Sequence, residues 1–362
     1  MTTVSKNRSV LRSANVAWNW LRVNLLASPI QIILSMGALY VLYLIVSFVL
    51  RWAVLDAHWS GDSRQDCDGF GACWVFVKVR LPQFLYGFYP EAQRWRVNVA
   101  LLVCSVTLLP LFARSLVRRL AWGLLAVSCY AAAAFVLLHG GIFDLPPVET
   151  HLWGGLMLTL VVSGVGILGS LPVGILLALG RRSDLPVIQA LSVAFIEVVR
   201  GVPLVTLLFM ASTMLPFFLP EGASPDKLIR ALIGITLFAG ANMAEVVRGG
   251  LQAIPKGQFE ASAALGLGYW KTMGFVVLPQ ALRVVIPGIL NTFISLLKDT
   301  TLVLIIGLFD LLGMVQAAAT DPRWLGFALE GYVFAGLVFW VLCFSMSRVS
   351  MALERKLRFA KS

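Results

Sequence analysis

The chain has 362 residues, of which 59% are hydrophobic and 13% are charged. Soluble domains carry about 25% charged residues, so the composition excludes an ordinary soluble domain and predicts an all-α polytopic membrane protein. The formal net charge is +11, but most basic residues flank apolar segments, so the charge indicates membrane orientation rather than nucleic-acid binding.

Eight apolar segments are long enough to cross a bilayer as helices, which takes about 20 residues. They lie at about 31–50, 97–113, 120–138, 152–179, 187–219, 228–247, 284–319 and 328–347. Lysine and arginine concentrate in the N-terminal segment, in alternate loops and in the C-terminal tail, whereas the opposite loops carry acids. The positive-inside rule therefore predicts that both termini and the loop at about 248–283 are cytoplasmic.

The long loop at 51–96 falls on the outer side and is rich in aromatic residues, so it is unlikely to lack structure. It contains Cys67 and Cys73, separated by six positions. Two interpretations are open: a disulfide, which an oxidising compartment permits and which we favour, or two free thiols. The other three cysteines lie in apolar segments and are expected to be small buried hydrophobes.

Segment 187–219 is too long for one plain span, and Arg200-Gly-Val-Pro203 interrupts it. Glycine and proline within a membrane helix mark a kink, where freed backbone groups need other partners. We expect this break to line a cavity.

The polar segment from Gln252 to Gly268 is punctuated by glycines. Pro255 suits the start of a helix, and residues 258–265 are good helix formers. Gly266 and Gly268 can both take a left-handed cap. A second apolar stripe at 269–277 is expected to stop at Pro279. The pattern predicts two short helices that present a small, knob-like surface.

Lys298 and Asp299 lie near the middle of segment 284–319, where an ionisable residue needs a partner or water. One interpretation is a polar patch on a transport pathway, with Asp299 meeting an ammonium and Lys298 a carboxylate. The other is interhelical pairing, for example of Lys298 with Glu197 or Glu245. Spacing of i, i+3 also permits local pairs of each of those acids with an arginine. The pathway candidates are Glu197, Arg200, Asn242, Glu245, Asn291, Lys298, Asp299, Thr300 and Thr301.

Six phrases occur in an order and spacing that resemble the permease subunits of polar amino acid ABC importers, and the general L-amino-acid branch fits best. They are Gly155-Leu-Met-Leu-Thr-Leu160, Leu177-Ala-Leu-Gly-Arg-Arg-Ser183, Glu197-Val-Val-Arg-Gly-Val-Pro-Leu204, Ala244-Glu-Val-Val-Arg-Gly-Gly250, Leu278-Pro-Gln-Ala-Leu-Arg283 and Leu297-Lys-Asp-Thr-Thr-Leu302. Ser262 stands where the family has alanine, and Asn242 where it often has tyrosine.

The resemblance implies that the loop at about 248–283 is the coupling loop that docks on an ATPase. Its contact residues would be Gly257, Glu260, Ala261, Ala264, Leu265 and Gly266. It also implies a type I ABC-importer permease core of five transmembrane helices at 151–355. The three spans and outer loop of residues 1–150 would form an N-terminal extension, for eight transmembrane helices in total.

The resemblance further implies a multi-pass protein of the bacterial inner membrane that works with several partners. These are a second permease in a heterodimer, two copies of an ATPase and a periplasmic binding protein for L-amino acids, in contact with membrane lipid. The chain has no P-loop, so ATP and Mg²⁺ would bind to the ATPase, and we expect no catalytic site, no metal cluster and no cofactor here. The alternatives are a secondary amino acid transporter, which leaves the coupling loop unexplained, or a membrane-embedded enzyme, which lacks a visible catalytic cluster.

Overall fold

The computed structural model describes residues 23, 27–67, 69–108, 134–141, 144–220 and 225–358. These residues are helical apart from connecting segments and isolated β-bridges, which confirms the predicted all-α class. The chain forms two compact units, Met1–Lys78 and Val79–Ser362. The predicted division at residue 150 stays a prediction.

The first unit contains helix α1, Pro29–Leu50, which a π-helical turn extends to Leu55. Ser28 caps it by accepting a hydrogen bond from the Gln31 amide. Its side chains are exposed along the whole length, with none buried. An apolar helix without a buried face is suited to lipid as its solvent.

The loop that follows α1 is ordered, as its aromatic content suggested. Backbone hydrogen bonds join the Ala72 amide to the Trp52 carbonyl and the His58 amide to the Ala72 carbonyl, at 2.8 and 2.9 Å. The sulfurs of Cys67 and Cys73 are bonded to each other, with Cα atoms 5.6 Å apart. The disulfide encloses a short loop beside these backbone contacts.

The remaining long helices follow in chain order. They are α2 (Trp74–Tyr86), α3 (Arg94–Leu108), α4 (Gly155–Arg181), α5 (Pro186–Gly201), α6 (Leu204–Phe209), α7 (Lys227–Gln252), α8 (Lys256–Ala264), α9 (Ile286–Asp299), α10 (Leu311–Ala319) and α11 (Ala328–Arg358).

Five segments in the described part of the chain are long and apolar enough to span a membrane. They are Pro29–Leu55, Gly155–Arg181, Lys227–Gln252, Ile286–Ile306 and Ala328–Ala352. The pair α5 and α6 is a sixth if it is counted as one broken span. The predicted span at 97–113 is described as far as residue 108, within α3, whereas the predicted span at 120–138 lies largely outside the described residues. The polytopic fold is thereby confirmed.

Helices α4 and α7 form the centre of the second unit. An ideal Cβ on Gly174 of α4 would lie 2.6 Å from the Cβ of Met243, and one on Gly240 of α7 would lie 2.5 Å from the Val173 Cγ1. The two glycines therefore let the helix backbones approach closely, which is a common way to pack helices within lipid.

The predicted kink in segment 187–219 is confirmed. Helix α5 ends at Gly201, and α6 begins at Leu204 after Pro203, with an angle of 105° between the two parts. Proline cannot donate a backbone hydrogen bond and disfavours helical conformation in the residue before it, which explains why the direction changes here.

The predicted span at 284–319 extends beyond the spanning helix of the structure, which is Ile286–Ile306. Helix α9 continues as a 3₁₀-helix only to Ile306, where Gly307 takes a left-handed conformation with φ of 74°. Asp310 then caps the short helix α10, its carboxylate accepting from the Gly313 amide at 2.9 Å. Because the Asp310 side chain is fully buried, desolvation raises the pKa of its carboxyl to about 6.

The predicted stop at Pro279 is wrong. Helical structure runs from Tyr269 to Val284, with a π-helix at Thr272–Val277 before the proline. A π-helical turn is wider than an α-helical turn and does not use the usual i to i−4 bond. It can therefore accommodate a residue that lacks the amide hydrogen.

Candidate functional site

The segment predicted as a coupling loop is built around helix α8. Pro255 precedes its first turn, and Gly266, with φ of 72°, ends it. The Gly266 amide donates to the Ala263 carbonyl and the Leu267 amide to the Ser262 carbonyl, at 2.9 and 3.1 Å. This pair of bonds is a Schellman cap. Of the two glycines considered from sequence, only Gly266 takes the left-handed conformation, because the φ of Gly268 is −69°.

Helix α8 has one buried face and one exposed face. Ser262 is buried and Phe259 is partly buried on the inner side. The exposed face contains every residue predicted to contact an ATPase. These are Gly257, Glu260, Ala261, Ala264, Leu265 and Gly266. Most have small side chains, so a partner surface can approach the helix backbone closely.

The inner face of α8 is held firmly. Phe259 packs against a hydrophobic cluster that includes Ile254, Met273 and Val277. The side-chain amide of Gln280 donates to the Gln258 amide oxygen at 2.9 Å, which joins α8 to the helical segment that follows it. The exposed face is therefore presented on a rigid base.

Arg182 links α8 to the helical core. Its guanidinium carbon lies 5.7 Å from the centre of the Phe259 ring, within cation–π range. Its Nη1 also donates to the Leu251 carbonyl at the end of α7, at 3.3 Å. Arg182, which directly follows α4, thus contacts both the end of α7 and the inner face of α8.

Glu245 of α7 is the centre of an ionic network. It accepts from Arg181 Nη1 at 2.8 Å and from Arg248 Nη2 at 2.6 Å, and Arg200 Nη1 lies 3.9 Å away. Arg181 also contacts Glu197 at 3.0 Å. The i, i+3 pair of Glu245 and Arg248 is therefore formed. The considered pairing of Lys298 with either glutamate is not, because arginines occupy both.

A cavity of about 530 Å³ lies between α5, α7 and α9, next to this network. Five of the nine predicted pathway residues line it: Arg200, Asn242, Glu245, Asn291 and Asp299. Thr292 and Ser295 add hydroxyl groups that the sequence analysis missed, and apolar side chains such as Leu204 and Phe238 complete the wall. The signal for Ser295 was its i, i+4 spacing from Asn291, which places the two on one helix face.

The other four candidates lie elsewhere. Glu197 and Lys298 are exposed outside the cavity lining. Thr300 is buried and its hydroxyl donates to the Leu297 carbonyl at 2.8 Å. The Thr301 hydroxyl donates to the Lys298 carbonyl at 2.9 Å. Both threonines therefore satisfy their own helix backbone rather than face the cavity.

The charges of the cavity wall are arranged unequally. Glu245 is already held by two close arginines, whereas the described residues form no hydrogen bond or ion pair with the Asp299 carboxylate. Of the three arginines near Glu245, Arg200 is the most distant, and its side chain is 39% exposed. The cavity thus offers one cation and one anion with unused capacity. Within the described part of the chain, no group of three or more His, Cys, Asp or Glu could hold a metal ion.

Comparison with known proteins gives one consistent family. The family of binding-protein-dependent transport system inner membrane components matches residues 170–359. The amino-acid ABC transporter permease protein YhdY of Escherichia coli K12 is 54% identical over 353 residues, covering 96% of this chain and 95% of that protein.

Two further relatives differ in how much of the chain they cover. The glutamate/glutamine/aspartate/asparagine transport system permease protein BztC of Rhodobacter capsulatus is 39% identical and covers 94% of each chain. The probable glutamine ABC transporter permease protein GlnP of Bacillus subtilis is 34% identical over 56% of this chain and 92% of its own length. The helical bundle, the capped helix α8 and these matches together show that the chain belongs to the family of binding-protein-dependent transport system inner membrane components.

Proposed function

We propose that this chain is the permease subunit of an ATP-driven importer that carries L-amino acids across the bacterial inner membrane. The observation that carries the proposal is the exposed, small-residue face of α8 on a rigid base. An exposed helix that is capped and anchored in this way is suited to receive force from a partner. The names of the full-length relatives, which are amino-acid permeases, support the substrate class.

The proposed route for the amino acid includes the cavity between α5, α7 and α9. A zwitterion needs a cation for its carboxylate and an anion for its ammonium. Arg200 of α5 and Asp299 of α9 supply this pair in the cavity lining, and Asn242, Asn291 and Ser295 add hydrogen-bonding groups to it. Charge-assisted hydrogen bonds of this kind are about twice as strong as neutral ones.

The proposed assembly contains this chain, a second permease in a heterodimer, two ATPase subunits that bind ATP and Mg²⁺, and a periplasmic amino-acid-binding protein. Residues 151–355 would form the transport core, and residues 1–150 an extension. The coverage of the shorter relative GlnP, about half of this chain, supports that division. The charge distribution supports a topology with both termini and α8 in the cytoplasm.

Copurification tests this proposal. The full chain, coexpressed with its proposed ATPase and second permease, should yield a stable complex after detergent extraction. Gly257→Trp, which adds bulk to the exposed face where an added Cβ meets no atom of this chain, should reduce the ATPase yield while leaving membrane insertion intact. Recovery of a properly inserted chain without any ATPase would favour a self-sufficient secondary transporter instead.

A further inference from the structure

Two neighbouring arginines at the end of α4 contact different parts of the molecule. Arg181 contacts Glu197 and Glu245 at 3.0 and 2.8 Å, and Glu245 lines the cavity. Arg182 stacks on Phe259 of α8 and donates to the Leu251 carbonyl. Because the two residues are adjacent in sequence, a displacement of the backbone at the end of α4 would move both side chains.

Glu245 has three basic neighbours, of which two are in close contact and one is more distant. Its Oε1 is held by Arg181, its Oε2 by Arg248, and Arg200 stands 3.9 Å from Oε2. If Arg181 leaves, Arg200 is the nearest cation that can replace it. Arg200 also lines the cavity, so the exchange would withdraw the cavity's available cation. Such an exchange would give Glu245 a second set of partners, which is the kind of two-state element that coupling between distant sites requires.

We propose that Arg181, Arg182 and Phe259 act as positioning residues that couple movement of α8 to the exchange of Arg181 for Arg200 on Glu245. The inference rests on the proposed import function, since it assumes that an ATPase moves α8. In one state Glu245 holds Arg181, and Arg200 is available to an amino acid carboxylate. In the other state Glu245 holds Arg200, and the amino acid loses that contact and is released.

The test compares variants of the complete complex in proteoliposomes, with the ATPase and binding protein present. Phe259→Leu keeps a large apolar side chain at this position but removes the aromatic ring that Arg182 contacts. Amino acid uptake per ATP hydrolysed should fall about two- to fivefold, the range expected for loss of a partly exposed cation–π contact. Uptake is therefore normalised to the amount of assembled complex and to the ATP hydrolysed, and Phe259→Trp, which keeps an aromatic ring under Arg182, should couple like the wild type.

Phe275→Leu is the matched control, because Phe275 lies in the same loop but is 78% exposed. It should behave as the wild type. Arg182→Gln loses the same cation–π contact and also the hydrogen bond to the Leu251 carbonyl, so it should be at least as impaired as Phe259→Leu. The double variant should be no worse than Arg182→Gln alone, because the ring contact is already lost there. Arg181→Gln frees Glu245 for Arg200, so it should raise the amino acid concentration needed for half-maximal uptake.

The outcomes separate the two proposals. Absence of ATP-driven uptake in the wild-type complex would overturn the import function and this inference with it. If the wild-type complex couples uptake to ATP hydrolysis normally, two results would overturn this inference alone. One is that Phe259→Leu behaves like Phe275→Leu. The other is that the losses of Arg182→Gln and Phe259→Leu multiply in the double variant.

Discussion

Replacing Gly266 by alanine isolates the contribution of the left-handed cap at the end of α8. Gly266 has φ of 72°, and an added Cβ would meet no atom within 4 Å. The cost is therefore purely conformational, about 1–2 kcal/mol for an L-residue in this region. If ATPase docking needs the capped helix, its equilibrium constant should fall about 5- to 30-fold. Membrane insertion should be unaffected, because no packing is lost.

Gly268→Ala is the matched control, because Gly268 also has open space around its Cα but a φ of −69°. Titration of purified ATPase onto the permease in nanodiscs would measure both affinities. Gly266→Asn should lie between wild type and Gly266→Ala, since asparagine tolerates the left-handed conformation. Equal affinities for Gly266→Ala and Gly268→Ala would refute the argument that the cap determines docking.

Three further predictions address other regions. Cys67 and Cys73 should resist maleimide labelling until a reductant is added, and free labelling of both in oxidised cells would exclude the disulfide. Asp299→Asn should lower amino acid uptake while complex yield persists, and normal uptake would remove Asp299 from the pathway. The pKa of the Asp310 carboxyl is raised to about 6, so the folded state binds this proton more tightly than the unfolded chain does. The free energy of unfolding should therefore fall as the pH rises from about 4 to about 6. Asp310→Asn should flatten that dependence and stabilise the protein at pH 7 by up to about 3 kcal/mol, measured by thermal unfolding against pH; lower stability at pH 7 would contradict it.

The cap of α8 was predictable because neighbouring residues determine it. Pro255 and Gly266 have restricted or unusual backbone preferences, and both act on the chain within one helical turn. The break between α5 and α6 was predictable for the same reason, since Pro203 acts locally. The π-helix before Pro279 was not, because the same proline is compatible with either a stop or a widened turn.

The ends of the spans were harder to predict because hydropathy reports how apolar a segment is and not where its helix ends or bends. Residues 300–306 are as apolar as a spanning helix, yet the helix narrows to a 3₁₀-helix there and ends at Gly307. Two residues could have indicated this end: Gly307, and Asp310, which is a common type of helix N-cap. Both lie within an otherwise apolar sequence, so the pattern still resembles one continuous span.

The ionic network could be predicted only in part. The i, i+3 pair of Glu245 and Arg248 follows from helix geometry. Arg181 and Arg182 were interpreted only as orientation signals, because their contacts depend on how α4 packs against α5, α7 and α8.

The most direct test of this account is amino acid uptake by the reconstituted complex, with ATP enclosed in the vesicles and ionophores present to collapse ion gradients. The account predicts uptake that requires ATP hydrolysis, persists with the ionophores and disappears with a non-hydrolysable ATP analogue. Uptake that is independent of ATP and abolished by the ionophores would contradict it.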